Sequence, residues 1–191
     1  MVKKWFVLLC VVFCVGSASA QVTWNMRAGS GVSFCNYDYS EYWGHCHPVG
    51  KIGIGLEKPL ARNWSLMPAL EFAWISSHSD CIDDIYGLDH LFLRMNFLAA
   101  YRFNLSYKWN LVLKIGSFLN YALLEIYKEY NRYEEYKEIY LGNFVDFGLC
   151  DFGVDFEYRR CVFGLEYYLG YREFYGGYNC GTLCATVGFK F

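Results

Sequence analysis

The sequence predicts an all-β fold, an eight-stranded antiparallel up-and-down transmembrane β-barrel, on three observations. Eight segments alternate apolar and small or polar residues with the two-residue period of a strand. The connections between them alternate in length, short on one side and long on the other. The chain also runs into its last residue as a strand, with Leu183, Ala185, Val187, Phe189 and Phe191 on one face. Terminal residues of soluble domains usually fray, so this ending is typical of a closing barrel strand.

Residues 1–20 have the pattern of a secretory signal peptide. Lys3 and Lys4 precede an apolar stretch, Trp5–Val15, and Ala18-Ser19-Ala20 provides a small-x-small cleavage site. The apolar stretch is too short to span a bilayer as a helix. We therefore expect a cleaved signal at 1–20 and one barrel domain at 21–191.

The eight predicted strands follow in order along that domain. They are Val22–Phe34, Val49–Glu57, Trp64–Trp74, Leu91–Phe103, Trp109–Tyr121, Phe144–Tyr158, Cys161–Tyr171 and Cys180–Phe191. The sixth changes phase, since Phe147 and Leu149 are odd-numbered whereas Phe152 and Val154 are even, which predicts a β-bulge near Cys150. Pro68 cannot donate to a ladder, which predicts a local break or bulge in the third strand.

The connections separate the two ends of the predicted barrel. Short ones follow strands two, four and six: Lys58–Asn63, Asn104–Lys108 and Arg159-Arg160. Longer ones follow the odd strands: Cys35–Pro48, Ser76–His90, Ala122–Asn143 and Arg172–Asn179. Within the third, Glu125–Tyr140 has tyrosines every three or four residues and fits either a short helix or an extension of the hairpin. Outer-membrane barrels have this arrangement, with short turns on the periplasmic side.

Composition and rim positions indicate which face is outside. Aromatic residues make up 21% of the chain and charged residues only 19%, more aromatic surface than one soluble core would bury. A lipocalin-like soluble barrel would show the same period, but aromatic residues here gather on one rim, at the starts of odd strands and the ends of even ones. This predicted periplasmic girdle comprises Trp24, Trp64, Tyr101, Phe103, Trp109, Tyr158 and Phe189, with Phe191 beside it. The net charge of −2 gives no basic footprint for nucleic acid.

The opposite, smaller face is predicted to fill the lumen, because an eight-stranded barrel leaves room only for side chains. It carries six cations and seven carboxylates, which nearly balance and predict a paired network: Arg27, Lys51, Glu57, Glu71, Arg94, Arg102, Lys114, Asp146, Asp151, Asp155, Glu157, Glu166 and Lys190. Unpaired charges in so confined a space would cost several kcal/mol each. An ion path lined by some of them is the alternative.

Several segments together resemble the porin-like small outer-membrane β-barrel domain family of Gram-negative bacteria. They are Trp64–Leu70, Tyr101–Asn104, Asp146–Leu149 and Val187–Phe191, and the resemblance covers essentially the whole of 21–191. It implies a cell outer-membrane location and a barrel fold, and it implies no activity. In relatives of this kind the terminal aromatic is read by the barrel-assembly machinery, so the resemblance makes Phe191 an assembly signal and that machinery a partner of the C-terminal strand.

The long connections contain residue types that support chemistry elsewhere. Ser76–Asp84 with His90 holds the residues of a hydrolase triad, His45-Cys46-His47 offers zinc ligands, and Asp80, Asp83 and Asp84 offer calcium ligands. None has the spacing that such sites need, so we interpret them as solvated loops and predict no enzyme activity, metal or cofactor. Seven cysteines remain beyond residue 20, an odd number that leaves at least one unpaired within the chain. Cys35–Cys46 and Cys35–Cys180 are both possible disulfides, and free thiols are the equal alternative.

The sequence therefore favours a non-catalytic outer-membrane barrel with lipid around it and with surface loops for adhesion, partner binding or envelope integrity. The loops at 35–48, 76–90 and 122–143 are the candidate contacts for an extracellular protein or glycan, and 122–143 interleaves tyrosines with charges. Two alternatives stay open: a barrel enzyme acting on lipid or peptide at the outer rim, and a narrow channel.

Overall fold

A computed structural model describes residues 22–35, 46–80, 84–131, 135–140, 145–172 and 178–191. Its strands are β1 (Thr23–Cys35), β2 (Cys46–Ala61), β3 (Trp64–Asp80), β4 (Asp84–Asn104), β5 (Trp109–Asn131), β6 (Glu135–Tyr140), β7 (Val145–Tyr158), β8 (Cys161–Arg172) and β9 (Tyr178–Lys190). The predicted signal peptide lies outside the described residues. Over the described ranges, no helix is long and apolar enough to cross a membrane.

The strands form one closed antiparallel barrel. Their order is β4-β3-β2-β1-β9-β8-β7-β5, and β4 pairs with β5 to complete the ring. β6 and β7 both pair with β5, β6 along Glu125–Tyr130 and β7 along Trp109–Tyr121, so together they occupy one position. The prediction of an eight-stranded up-and-down barrel is confirmed.

The seam between the first and last strands is paired along its length. The β1–β9 register runs from Asn25 opposite Lys190 to Cys35 opposite Cys180. Beyond it, the Phe191 N–H donates to the Trp24 carbonyl at 3.0 Å, and the Trp24 N–H donates to the Phe191 carbonyl at 3.2 Å. Phe191 therefore takes part in the backbone pairing that closes the barrel.

The expected irregularity near Cys150 is present. Gly116 pairs with Asp151 and Phe118 with Gly148, so two residues of β7, Leu149 and Cys150, face the single residue Ser117 of β5. This bulge restores the apolar phase of the strand, as predicted. At Pro68 the ladder to β4 is continuous. The ladder to β2 is interrupted between the pairs Gly55–Ala69 and Lys58–Leu66, and the register is the same on both sides. The irregularity at Pro68 is therefore a local break and not a bulge.

β3, β4 and β5 extend furthest beyond the strands that the sequence predicted, and β2 is longer as well. Residues 76–80 and 84–90 were expected in a loop, but they continue β3 and β4, paired from Ser76–Asp89 to Asp80–Ile85. Residues 122–131 likewise continue β5, and β6 returns along them. The helical alternative for 125–140 is therefore wrong, and the hairpin extension is right. Backbone pairing accepts polar residues where no core selects an alternating pattern, which is why the loops were overestimated.

Burial alternates along the strands with the apolar face outward. In β8, Val162, Glu166 and Tyr168 are buried, whereas Phe163 and Leu165 are 50% and 56% exposed. The same holds around the barrel: Trp24, Ile52, Phe72, Ile115, Phe156 and Val187 are exposed and Arg27, Lys51, Glu71, Lys114, Asp155 and Thr186 are buried. A closed barrel with so large an apolar exterior requires lipid around it.

Candidate functional site: the packed lumen and the projecting sheet

The aromatic girdle lies at the end of the barrel that carries the short turns. Trp64 is opposite Tyr101 in the β3–β4 ladder, with ring centroids 5.0 Å apart, and Trp109 is opposite Tyr158 at 4.7 Å. Phe103 stacks edge-on to Tyr101 at 4.7 Å, and Phe189 lies 6.0 Å from Phe191. Trp24 belongs to the same rim through its backbone bonds to Phe191. All of these side chains are exposed or half-buried, on the outer face.

Glu166 of β8 is the centre of the main charge cluster in the lumen. Its carboxylate contacts the ammonium groups of Lys51 and Lys114, and lies 3.3 Å from the Arg27 guanidinium. It also accepts a hydrogen bond of 2.6 Å from the Tyr168 hydroxyl. β1, β2, β5 and β8 each supply a member, so the cluster ties strands from across the barrel.

Two more carboxylates complete the central cluster. Asp155 lies 2.8 Å from Arg27 and 2.9 Å from Lys114, and Glu71 lies 3.2 Å from Lys51. Lys51 also contacts the Tyr168 hydroxyl. With three cations meeting three carboxylates, the buried charges of this cluster compensate one another, as burial at this depth requires.

A second cluster lies towards the short turns. Glu57 accepts from Arg102 at 2.6 Å and from Lys190 at 2.6 Å. Glu157 lies 3.2 Å from Arg102 and contacts Lys190. Ser65 adds a hydrogen bond of 3.2 Å to Glu57. Two carboxylates again meet two cations, and β9 is joined through them to β2 and β7.

The remaining predicted lumen charges lie nearer the outer end. Arg94 donates to Asn120 at 2.8 Å, and its guanidinium lies over the Tyr168 ring at 4.2 Å and the Phe118 ring at 4.9 Å. Asp151 is buried, at 1% exposure. Asp146 lies in β7 opposite Asn120, and its side chain lies outside the described ones.

Sequence reasoning missed Tyr168 as a lumen residue. It is fully buried, bonds Glu166 and packs edge-on against Phe118 at 5.6 Å. Its even number along β8 could have identified it as a lumen residue, since Val162, Gly164, Glu166 and Tyr168 share one face of a strand.

The lumen is packed along the described strands. Eleven of the thirteen predicted charged residues are at most 8% exposed, whereas a water-filled bore would leave them accessible. They are Arg27, Lys51, Glu57, Glu71, Arg94, Lys114, Asp151, Asp155, Glu157, Glu166 and Lys190. A cavity of about 10 Å³ lies between Arg27, Glu71 and Glu166. That volume holds about one water molecule.

The described residues of the possible triad make other contacts in the structure. The Ser76 hydroxyl donates to Asp89 at 2.5 Å, and the His90 ring stacks on Phe92 at 5.3 Å. The side chains of residues 77–88 and all of 36–45 lie outside the described part of the structure. Over the side chains that are described, no group of three or more His, Cys, Asp or Glu residues is placed to hold a metal ion.

A sheet projects beyond the packed lumen at the other end from the girdle. β3, β4 and β5 have 17, 21 and 23 residues, whereas a strand crosses a bilayer in about 9–11. Above Val49–Ile75, β3 pairs with β4 alone, and the described partners of β6 all lie in β5. The projecting sheet, residues 76–80, 84–90, 124–131 and 135–140, thus has the order β3-β4-β5-β6 and two open edges among the described strands.

Formal charge is divided between the two ends of the molecule. The segments 35–48, 76–90 and 122–143 contain eleven Asp and Glu residues and three Lys and Arg residues. The short connections at the girdle end contain five cations and no Asp or Glu: Lys58, Arg62, Lys108, Arg159 and Arg160. The overall charge of −2 conceals this asymmetry.

Solved structures of outer-membrane proteins share this fold. Ail, the attachment invasion locus protein of Yersinia pestis, aligns with a TM-score of 0.51 at 11% identity, covering 88% of this chain and 98% of Ail. Ail in complex with the heparin analogue sucrose octasulfate aligns at 0.53 and 12%, covering 89% and 99%. Neisserial surface protein A aligns at 0.54 and 13%, covering 88% and 97%.

No protein-family model matches the chain, and no curated protein matches its sequence. At these identities the solved structures establish the fold of the chain. The apolar exterior and the aromatic rim give the physical reason for its surroundings, since only a bilayer covers such a surface. The chain has the fold of the small outer-membrane β-barrel proteins, with its short turns and aromatic girdle at one end of the barrel.

Proposed function

We propose that this protein is a non-catalytic surface-binding barrel, in which a plugged lumen carries the projecting sheet as a docking platform for an extracellular protein. The observation that carries the proposal is the length of β3, β4 and β5, which extend well past the thickness of a bilayer. Strand pairing orders this extension without a core beneath it. A mere closing loop needs no such structure.

The packed lumen supports binding over conduction. The Glu166 and Glu57 clusters fill the bore with paired charges, and water would have to break those pairs to pass. The ion path is therefore the weaker reading. Adhesion or envelope integrity through external contacts fits a rigid, closed barrel better.

The open edges and the charge of the projecting sheet favour a basic protein partner. An exposed strand edge binds a partner strand through main-chain hydrogen bonds. The excess of carboxylates over cations in 35–48, 76–90 and 122–143 attracts a positively charged surface. It repels a sulfated glycan of the kind bound in the Ail complex, so a glycan partner of this chain would be neutral.

The test is to trim the projecting hairpin without touching the barrel. Tyr127 and Glu138 are directly opposed in the β5–β6 ladder, so residues 128–137 are replaced by Asn-Gly, which closes a two-residue turn. We expect cells displaying the trimmed barrel to lose at least tenfold in adhesion to a panel of immobilised extracellular-matrix proteins. Heparin and neutral dextran surfaces serve as the glycan arms.

The matched control keeps the hairpin length and replaces residues 128–137 by a Gly/Ser segment of equal length. Loss of adhesion in both variants, with heat-modifiable gel migration intact, supports a site at the hairpin sequence. Equal adhesion by the trimmed, control and unchanged proteins would contradict the proposal. Stronger adhesion to heparin than to basic protein would contradict the partner chemistry.

We further propose that the C-terminal strand is the contact of the barrel-assembly machinery, with Phe191 as the signal residue. The Phe191 side chain is 55% exposed, while its backbone closes the seam with Trp24. Phe191→Ala keeps both backbone bonds. It should lower the unfolding free energy in vesicles by only about 0.5–1.5 kcal/mol, for the lost ring contact with Phe189, yet lower outer-membrane assembly in cells severalfold. Normal assembly of this variant would refute the role.

A further inference from the structure

The short-turn rim carries exposed cations with no acidic residue among them. Arg62, Lys108, Arg159 and Arg160 are exposed and Lys58 is half-buried. The nearest carboxylates along the strands, Glu57 and Glu157, are buried at 3% and 2% and already paired with Arg102 and Lys190. The charged side chains exposed on the described part of this rim are positive.

Backbone hydrogen bonds fix these turns beside one another. The Arg159 N–H donates to the Lys108 carbonyl at 3.2 Å, which joins two of the turns. The Lys190 N–H donates to the Arg160 carbonyl at 2.8 Å, and the Arg102 N–H to Asn63 at 2.9 Å. The cations therefore form one ordered rim.

Two arginines stand where the backbone favours other residues. Arg62 and Arg159 have φ angles of 49° and 55°, in the left-handed region that Gly, Asn and Asp adopt most readily. Nothing in the turn itself calls for arginine at these positions. The guanidinium side chains are the feature that these residues add, and that of Arg159 lies 5.7 Å over the Tyr158 ring of the girdle.

Apolar side chains lie among the cations. Leu60, Leu105 and Tyr107 of the same turns are 57%, 58% and 100% exposed. Exposed leucine and tyrosine next to lysine and arginine suit a headgroup interface, where apolar groups enter the acyl boundary and cations stay among the phosphates. A water-soluble anion would leave those apolar groups uncovered.

We propose that this rim binds anionic phospholipid headgroups of the periplasmic leaflet. Trp64, Trp109 and Tyr158 set the rim at the membrane interface, and Lys108, Arg159 and Arg160 adjoin them in sequence. Each basic residue near an anionic leaflet attracts it by about 1 kcal/mol, which is roughly a fivefold preference per engaged cation. The inference is independent of what the projecting sheet binds.

The test measures which lipid surrounds the girdle tryptophans. Residues 21–191, with Trp43 and Trp74 changed to Phe, are refolded into phosphatidylcholine vesicles that contain either dibrominated phosphatidylglycerol or dibrominated phosphatidylcholine. Bromine quenches the remaining Trp24, Trp64 and Trp109, which all lie at this rim. We expect the apparent association of phosphatidylglycerol to exceed that of phosphatidylcholine by about fivefold or more.

Two exposed turn cations are then removed in K108Q/R160Q, which should lower the preference by about fivefold for each of them that engages a headgroup. The matched control, K128Q/K137Q, removes the same charge from register partners in the projecting sheet and should keep it within about twofold. Heat-modifiable migration checks the fold of each variant. About 1 M salt shortens the Debye length to about 3 Å and should abolish the preference of the unmutated rim as well.

Equal quenching by the two brominated lipids would overturn the proposal. So would an unchanged preference in K108Q/R160Q or at high salt, or an equal loss in K128Q/K137Q. The high-salt measurement needs no substitution in the turns, so it tests the proposal even where a variant fails to fold.

Discussion

The lumen and the projecting sheet are built from the same strands on different physical grounds. Within the bilayer, β5 places Lys114 in the Glu166 cluster and Phe118 against Tyr168, so side chains fix every second position. Beyond it, a one-residue bulge at Leu123 shifts the register, and the same strand continues to Asn131 paired with β4 and β6. The comparison teaches that side-chain packing sets the register of β5 in the barrel, while in the projecting sheet backbone pairing holds a register displaced by one residue.

The two regions also differ in how they treat charge. In the lumen each carboxylate of the two clusters lies against a cation, because an unpaired charge there is costly. In the outer segments carboxylates outnumber cations, which water and counter-ions tolerate. Removing one charge should therefore lower the unfolding free energy strongly in the lumen and hardly at all in the outer segments.

Glu166→Gln should have the largest effect on stability. It leaves Lys51, Lys114 and part of the Arg27 contact without their shared carboxylate, and breaking such a buried pair costs about 3–5 kcal/mol. Urea unfolding of the barrel in vesicles measures the change in unfolding free energy. The control, Glu129→Gln in the projecting sheet, should stay within about 0.5 kcal/mol. Equal effects would erase the distinction between the regions.

Loss of a disulfide at the seam is expected to be the next largest effect. The register puts Cys35 directly opposite Cys180, whereas Cys46 is opposite Phe34. Of the two disulfides that the sequence left open, we therefore expect Cys35–Cys180 on oxidation. Directly opposed strand residues have the spacing a disulfide needs. Mass spectrometry of alkylated, unreduced protein should find that cross-linked peptide, and Cys180→Ser should cost about 2–4 kcal/mol.

The control for the seam is Cys161→Ser, since Cys161 is a free and exposed thiol. It should leave the unfolding free energy unchanged. A cross-link between Cys35 and Cys46, or complete alkylation of both Cys35 and Cys180, would show that the register does not decide the pairing.

Gly148→Ala should have an intermediate effect inside the barrel. A Cβ atom at Gly148 would lie 2.1 Å from Cζ of Phe118, so the buried ring must move, at about 1–3 kcal/mol. Gly50→Ala is the matched control, because its Cβ would be 4.0 Å from the nearest atom, Cε3 of Trp74. In the Phe118→Leu background the Gly148 substitution should cost less. An undiminished cost there would contradict the ring as the cause.

Trimming residues 128–137 should have the smallest effect on stability. The removed segment lies outside the packed lumen, so the unfolding free energy should change by about 0.5 kcal/mol or less. The same variant is the one expected to lose adhesion. A large loss of stability on trimming would mean that the projecting sheet supports the barrel, and the two regions would have to be treated as one cooperative unit.

Much of the barrel was predictable from residue order. The alternation of Val162, Phe163, Gly164 and Leu165 indicates a strand and its two faces, and the phase change around Cys150 predicted a bulge that the β5–β7 ladder contains. The lumen charges were predictable as a set, because they share parity with Gly, Ala and Ser. Which charge meets which was not, since Glu166 and Lys51 are 115 residues apart and only closure of the ring brings them together.

The sequence by itself determined an eight-stranded barrel with aromatic residues outside and charges inside, because side-chain parity within a strand is a local property. The tertiary structure decided the rest. It placed Cys35 opposite Cys180, brought Tyr168 into the Glu166 cluster and extended β3, β4 and β5 into a sheet. Register between strands distant in the chain depends on ring closure and packing, which no single segment encodes.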